Sequence, residues 1–389
     1  MKKIKVLASI LFLAFIFVMP GPILANSDNG DEPVLNETYE KAEVIKVDNV
    51  ESEPIEGVEG QTFQEQVITV KMLSGDHKGQ TLEAHNTLSG SMGWDLEVKP
   101  GDKVILYIIE HDGEPTEIYL SDMSRVPYVN YLIIFFMLAL VVVGGIKGIK
   151  ALVALGLTIL GVYKILLPAL LQGNSPLLMT VLVLIGVTLI TMVIIAGVTK
   201  KAVSATLGTI GGVVVAGILA LLVGDLAHFT GYASEESRML LYVEGLNINV
   251  QGLLFAGIII GALGAAMDVA ISIASAIEEI KKANPELTAA DLMRAGMNVG
   301  RDVMGTMANT LILAYTGGAL PLLILFMAYD TSPVHIFNSE LIATEIVRAV
   351  AGSIGLVFCI PITAFSASLL FARNDDNITN GGKDNNLIG

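Results

Sequence analysis

Charge is scarce in this sequence: Asp, Glu, Lys and Arg make up 16% of its 389 residues, against ~25% in a soluble globular protein. Apolar residues fill 53%, so an ordinary soluble enzyme is excluded. What charge there is lies unevenly. Residues 27–126 hold 22 acidic and 7 basic side chains, which by themselves equal the formal net charge of −15; the remainder is balanced. An acidic polar block is therefore joined to a neutral greasy one, and nucleic-acid binding has no electrostatic footing. The single cysteine, Cys359, excludes an intrachain disulfide, thiolate metal sites and iron–sulfur clusters. One tryptophan, Trp94, reads as a core plug or interface residue. No HExxH, no Gly-x-Ser-x-Gly, no Ser-His-Asp order and no Lys-Ser/Thr phosphate loop occurs, so no enzymatic activity and no cofactor are expected.

What is present divides the chain into five parts. Residues 1–25 read as a signal peptide or signal anchor: Lys2, Lys3 and Lys5 precede an apolar run that Pro20 and Gly21 break, and Ile23-Leu24-Ala25 resembles a cleavage site. Residues 26–39 form a polar spacer. Residues 40–126 alternate polar and apolar, with strands predicted at 41–47, 63–72, 80–86, 103–109 and 117–121 between turns such as Ser74-Gly75-Asp76 and Pro100-Gly101-Asp102. Five short strands in that length predict a small all-β domain, similar to an OB-fold. Residues 127–372 contain runs long enough to cross a bilayer, at ~20 residues each. Seven transmembrane helices are predicted near 128–146, 149–171, 176–198, 202–224, 250–275, 304–328 and 345–371. Residues 373–389 form a disordered tail.

The connections orient the chain. Lys147, Lys150, Lys200, Lys201, Lys281, Lys282, Arg294, Arg301 and Arg373 fall on one side of this arrangement, while the alternate loops carry only Arg238. The basic side is cytoplasmic, and seven spans take an exported β-domain to a cytoplasmic C-terminus. The expected place is a bacterial cell membrane, the expected surroundings a lipid bilayer, and the fold class a polytopic α-helical membrane protein with an extracytoplasmic β-domain. A homo-oligomer and an envelope protein partner for the β-domain are both compatible with it.

Polar residues inside apolar runs are costly and point to chemistry. Asp268, Ser272, Ser275 and Glu279 follow spacings of four, three and four, one stripe on a helix face. An ionised Asp at a helix centre costs ~2.5–3.5 kcal/mol even on the lenient insertion scale, so the stripe is expected to face the bundle interior, as a proton or cation relay or as a protonated Asp bonded to a neighbour. The sixth run repeats the pattern with Asp302, Thr306, Asn309 and Thr316, and Asn309 is an attractive partner for Asp268; polar helix glue is the competing role. Arg301 and Asp302 read as an interfacial ion pair. Lys164, beside Pro168, either snorkels to the nearer surface or pairs with Asp268. Glu345 and Arg348, three apart, satisfy each other near the outer end, as a structural or outer-gate pair. Gly208, Gly212, Ala216 and Ala220 form a small-residue packing seam. Asp225 and His228 stand at ligand spacing but lack a second pair, so no metal site is expected.

The run GALGAAMDVAISIASAIEEIKKANPELTAADLMRAGMNVGRDVMGTMANTLILAYTGGALPLLILF, preceded by KILLPALLQGNSP, resembles the YibE/YibF-like family of bacterial multipass membrane proteins. The resemblance covers about 127–371, and the β-domain is similar to the N-terminal part of longer members. It implies a membrane or transport protein and supplies no substrate and no catalytic residues. A shorter similarity, over about 50 residues, is to the proton-conducting half of export-translocase accessory subunits and related resistance exporters. Two functions are then expected in competition: an ion- or proton-coupled transporter or exporter working through Asp268, or an envelope sensor or membrane assembly factor whose acidic β-domain binds a partner.

Overall fold

The computed structural model describes residues 36–51, 64–89, 93, 95–111 and 114–372. The signal segment, most of the spacer, Trp94 and the C-terminal tail lie outside the described residues. The chain divides into two compact units, one containing the strands and the other beginning at Leu140.

The first unit is a closed five-stranded barrel. Strands β1 (Asn36–Glu51), β2 (Gln64–Met72), β3 (Thr81–Leu88), β4 (Lys103–His111) and β5 (Glu114–Met123) close in the order β1-β2-β3-β5-β4. All pairings are antiparallel except β3 with β5. Alternation sets the faces: Val104, Leu106 and Ile108 of β4 are fully buried, and they pack with Ala42, Val44, Ile68, Val70 and Ala84. β1 is twice as long as the predicted 41–47. Its first half pairs with β4 and its second with β2, and a register shift between Val44 and Lys46 accommodates the turn from one partner to the other.

Beyond the strands, and mostly in the second unit, five helices are long and apolar enough to cross a membrane. α1 (Val126–Gly161) continues through a π-turn (Val162–Leu166) into α2 (Leu167–Leu171); α3 is Pro176–Ala196 and α4 Lys200–Leu226. After the short α5 (Glu235–Met239) come α6 (Val250–Ala283), α7 (Ala289–Gly318), α8 (Leu320–Ala328), α9 (Pro333–Asn338) and α10 (Glu340–Ala372). α7 and α8 together make a further candidate span bent by 56°. The single helix predicted at 304–328 is thus broken. Pro321 has no N–H for the Gly317 carbonyl, and its ring crowds that turn.

α1 is interrupted at Gly145 (φ 55°, ψ −129°), a conformation that favours glycine. The chain doubles back there so tightly that Gly148 lies against the Leu140 carbonyl oxygen, where a Cβ would overlap it. In an unbroken helix those residues would be ~12 Å apart. The π-turn has a related origin: Pro168 offers no N–H to the Lys164 carbonyl, and a widened turn absorbs the lost bond.

The centre of this unit is the antiparallel pair α4 and α10, on which α6 packs. Gly212 and Gly355 face each other, and a Cβ on either would lie 2.6 Å from the other's carbonyl oxygen. Gly208 is closed off by Thr363, and Ala216 touches Gly355. The predicted seam of small residues is therefore the contact that lets two backbones approach. Cys359, fully buried, donates to the Ala266 carbonyl at 3.3 Å and ties α10 to α6. Gly212→Leu is expected to force α4 and α10 apart and to destabilise by ~1–3 kcal/mol. Gly257→Leu, at a position with nothing within 4 Å, is expected to leave thermal unfolding in detergent unchanged.

Candidate functional site

α6 buries one face and exposes the other. Ile259, Leu263, Ala266, Ala270, Ile273 and Ile277 are packed in the core, whereas Asp268, Ser272 and Glu279 are exposed and Ser275 is half-buried. The stripe predicted from spacing is real, but it does not point into the bundle: the apolar side of α6 is used to pack on α4 and α10, and the polar stripe is the side left over. α7 behaves in the same way. Leu292, Gly296 and Gly300 are buried, while Asp302, Gly305, Thr306, Asn309 and Thr316 are exposed.

The two polar stripes are level with each other. α6 and α7 run antiparallel, with Gly296 against Ile277, Gly300 against Ile273 and Gly261 against the Tyr315 hydroxyl. Asp268 therefore falls at the height of residues 305–308. No hydrogen bond joins it to Asn309, and its carboxylate has no partner among the described residues. Ser272 donates to the Asp268 backbone carbonyl at 2.7 Å. Thr306 and Thr316 likewise bond back to their own helix, to Val303 at 2.9 Å and Ile312 at 2.8 Å. Pro176, which begins α3, packs against Gly252. Counting 1.5 Å per residue, the far end of α3 is level with about Ser272, so Asp268 lies ~6 Å inside that end.

The charged residues around this face sort into separate groups. Lys164 is exposed on the π-turn with its ammonium 5.1 Å from the Tyr163 ring centroid; no ion pair joins it to Asp268. Arg301 bonds Asn298 at 3.2 Å and forms no ion pair with Asp302 among the described residues, contrary to the expectation from their adjacency. Consecutive residues of a helix point 100° apart, which carries the two side chains away from each other. Glu345 and Arg348 are joined, both about 30% exposed. Tyr315 lies within electrostatic reach of that pair, and its hydroxyl stands against Gly261. Polar groups thus run from Glu345 and Arg348 to Tyr315, which stands ~10 Å along α6 from Asp268. Sequence reasoning misses Tyr315 because one tyrosine in an apolar run carries no spacing signal.

It misses Glu278 too. That residue bridges Lys201 of α4 at 3.1 Å and Lys282 at 3.0 Å, with only 20% of its side chain exposed. Glu279, singled out by spacing, makes only a solvent-facing pair with Lys282.

With the strands and helices in place, the family can be read. Residues 132–373 match the model of YibE/F-like protein, and residues 36–123 match that of the YibE/F family N-terminal domain. The chain belongs to the YibE/F family. No curated protein and no solved structure matches it. Its apolar helices make this YibE/F-like chain a membrane protein.

Among the described residues no three His, Cys, Asp or Glu side chains converge as metal ligands. One polar group of the YibE/F N-terminal barrel is Glu40, His77 and Glu110, all buried. His77 Nε2 lies 3.1 Å from Glu110 Oε1, and Glu40 packs against Gly75 (φ +76°), where a side chain would overlap the carboxylate. Glu40 Oε2 has no hydrogen-bond partner. Burial holds the Glu40 carboxyl above the usual carboxylate range, against the Asp76 backbone and His77, which favour its charged form.

Two outcomes are expected. Because the folded carboxyl of Glu40 releases its proton later than the unfolded one, this group favours folding at pH below about 4.5. That contribution is lost as the pH rises through the folded value. Glu40→Gln should therefore increase protection of β1 and β4 in hydrogen exchange at pH 7 and change it little at pH 4. Glu278→Gln should loosen the α4–α6 junction by ~1 kcal/mol or less, seen as faster exchange near Lys201, whereas Glu279→Gln should not.

Proposed function

We propose that this chain is an ion- or proton-coupled transporter or exporter, with Asp268 as the ion-accepting group. The observation that carries the reading is the unpartnered Asp268 carboxylate within the span of α6, level with the polar face of α7. A carboxylate there is costly in hydrocarbon, and such residues mark ion pathways. Ser272, Ser275, Thr306, Asn309 and Thr316 line the route. The Glu345–Arg348 pair with Tyr315 forms its other end, and Lys164 is set apart from it over Tyr163. The exposure of both polar stripes requires cover by protein, which makes the working form a homo-oligomer closed over this face.

The membrane unit crosses seven times in this reading. An unbroken helix over Val126–Leu171 would be ~69 Å long, more than twice the ~30 Å hydrocarbon core. The reversal at Gly145 converts it into two spans, and the bent α7–α8 pair supplies another. The barrel, with five strands and a β3–β5 parallel closure, is an OB-like domain. It lies outside a bacterial cell membrane and the C-terminus inside, as the lysines and arginines of the alternate connections require.

Flux in proteoliposomes, with a proton dye and with Na⁺, K⁺, Mg²⁺ or Mn²⁺ gradients in turn, tests the reading. Wild type should carry flux, and Asp268→Asn should abolish it while eluting as a folded species of the same size. Undiminished flux in the variant would remove Asp268 from the mechanism. Silence in both would favour the envelope-sensor reading, in which the barrel recognises a partner.

A further inference from the structure

The barrel carries an aromatic row that its own fold does not use. Tyr39 of β1 is paired in register with Tyr107 of β4, Tyr107 with Tyr119 of β5, and Tyr119 with His85 of β3. Four consecutive strands thus place four rings side by side on the outer surface. The Tyr39 and Tyr107 ring centroids are 5.2 Å apart and tilted by 43°, and those of His85 and Tyr119 are 6.5 Å apart. Tyr39 is 68% exposed and Tyr119 40%. At ~4.8 Å per strand the row is ~14 Å long, the reach of about four residues of extended chain.

The row is edged with carboxylates. Tyr119 donates its hydroxyl to Glu117 at 2.9 Å, the Tyr107 hydroxyl is within electrostatic reach of Glu37, and His85 Nδ1 lies 2.7 Å from Glu65. Glu37 and Glu117 stand opposite each other across Ile109, two residues along the strands from the rings. Tyr119 is thereby fixed at its polar end while its ring stays in solvent. An exposed aromatic row that packs no core marks an interaction surface.

We propose that this row is a docking site for a partner protein segment bearing arginine or lysine side chains. The occupant follows from charge. Ring faces attract cations, and the adjoining carboxylates supply paired acceptors for guanidinium or ammonium groups. Residues 27–126 carry a formal −15, which repels nucleic acid, anionic lipid and the barrel of a second copy. A cationic segment lying across the strands meets the rings along a border of carboxylates.

The test uses the full chain in nanodiscs of neutral lipid and a fluorescent decapeptide with alternating Arg and Gly, read by anisotropy. A peptide with Gln in place of Arg is the comparison. The Arg peptide should bind and the Gln peptide should not. Tyr39→Ala and Tyr119→Ala should each weaken binding about tenfold, Tyr39→Phe should retain it, and Tyr39→Lys should abolish it. Glu114→Gln removes a charge outside the row and should change affinity less than twofold. Both Tyr39 and Tyr119 are exposed, so the barrel is expected to melt as in wild type. Equal binding of the two peptides would overturn the proposal. So would alanine variants that bind like wild type, since simple charge attraction would then suffice. Preferential binding of anionic vesicles or neutral oligosaccharides over the Arg peptide would assign the row to another class of ligand and overturn it equally.

Discussion

The approach of Gly212 to Gly355 sets the distance between α4 and α10, and with it the place of every helix that packs on them. In a membrane no hydrophobic force presses helices together, because lipid tails are as apolar as leucine. Association depends on how closely two backbones can come. Each of these glycines places its hydrogen where the other's carbonyl oxygen would exclude a methyl group. Around that contact Thr363 covers Gly208 and Cys359 reaches Ala266 of α6. The apolar face of α6 is consumed in completing this core.

That consumption explains why the polar stripe of α6 is outward. A helix has one perimeter, and the side that satisfies α4 and α10 cannot also carry Asp268. The carboxylate is left on an exposed surface, as are Thr306, Asn309 and Thr316 of α7. Packing and chemistry are thus separated around one helix.

Much of this is legible in the sequence. All five strands can be read from alternation, because one face of each is buried and period two survives in the residues themselves. The helices follow from length and hydropathy, and the stripe of Asp268, Ser272 and Glu279 from spacing. What escapes such reading has a common cause: it depends on partners distant in sequence. The full extent of β1 is fixed by β4, some 60 residues later. The preference for Glu278 over Glu279 is fixed by Lys201, on another helix. Spacing says which residues share a face and says nothing of what that face meets, so the direction in which Asp268 points is not available from it. The break between α7 and α8 lies hidden under a continuous apolar run, although Pro321 is there to be read.

The division of β1 between two partners has a consequence for how the barrel comes into being. Its second half can pair with β2 as soon as that strand exists. Its first half, Asn36 to Glu43, waits for Lys103 to Glu110. The β1–β4 pairing therefore requires a loop of about 60 residues to shut, an entropic cost that precedes any stabilisation from that ladder. Until β4 has been made, the N-terminal strand offers open edges and the core lacks Val104, Leu106 and Ile108, its fully buried β4 side. Because β5 stands between β3 and β4, a chain emerging from its N-terminus stays unclosed until Glu114–Met123 have also been made, and it remains slack enough to be threaded before it can lock.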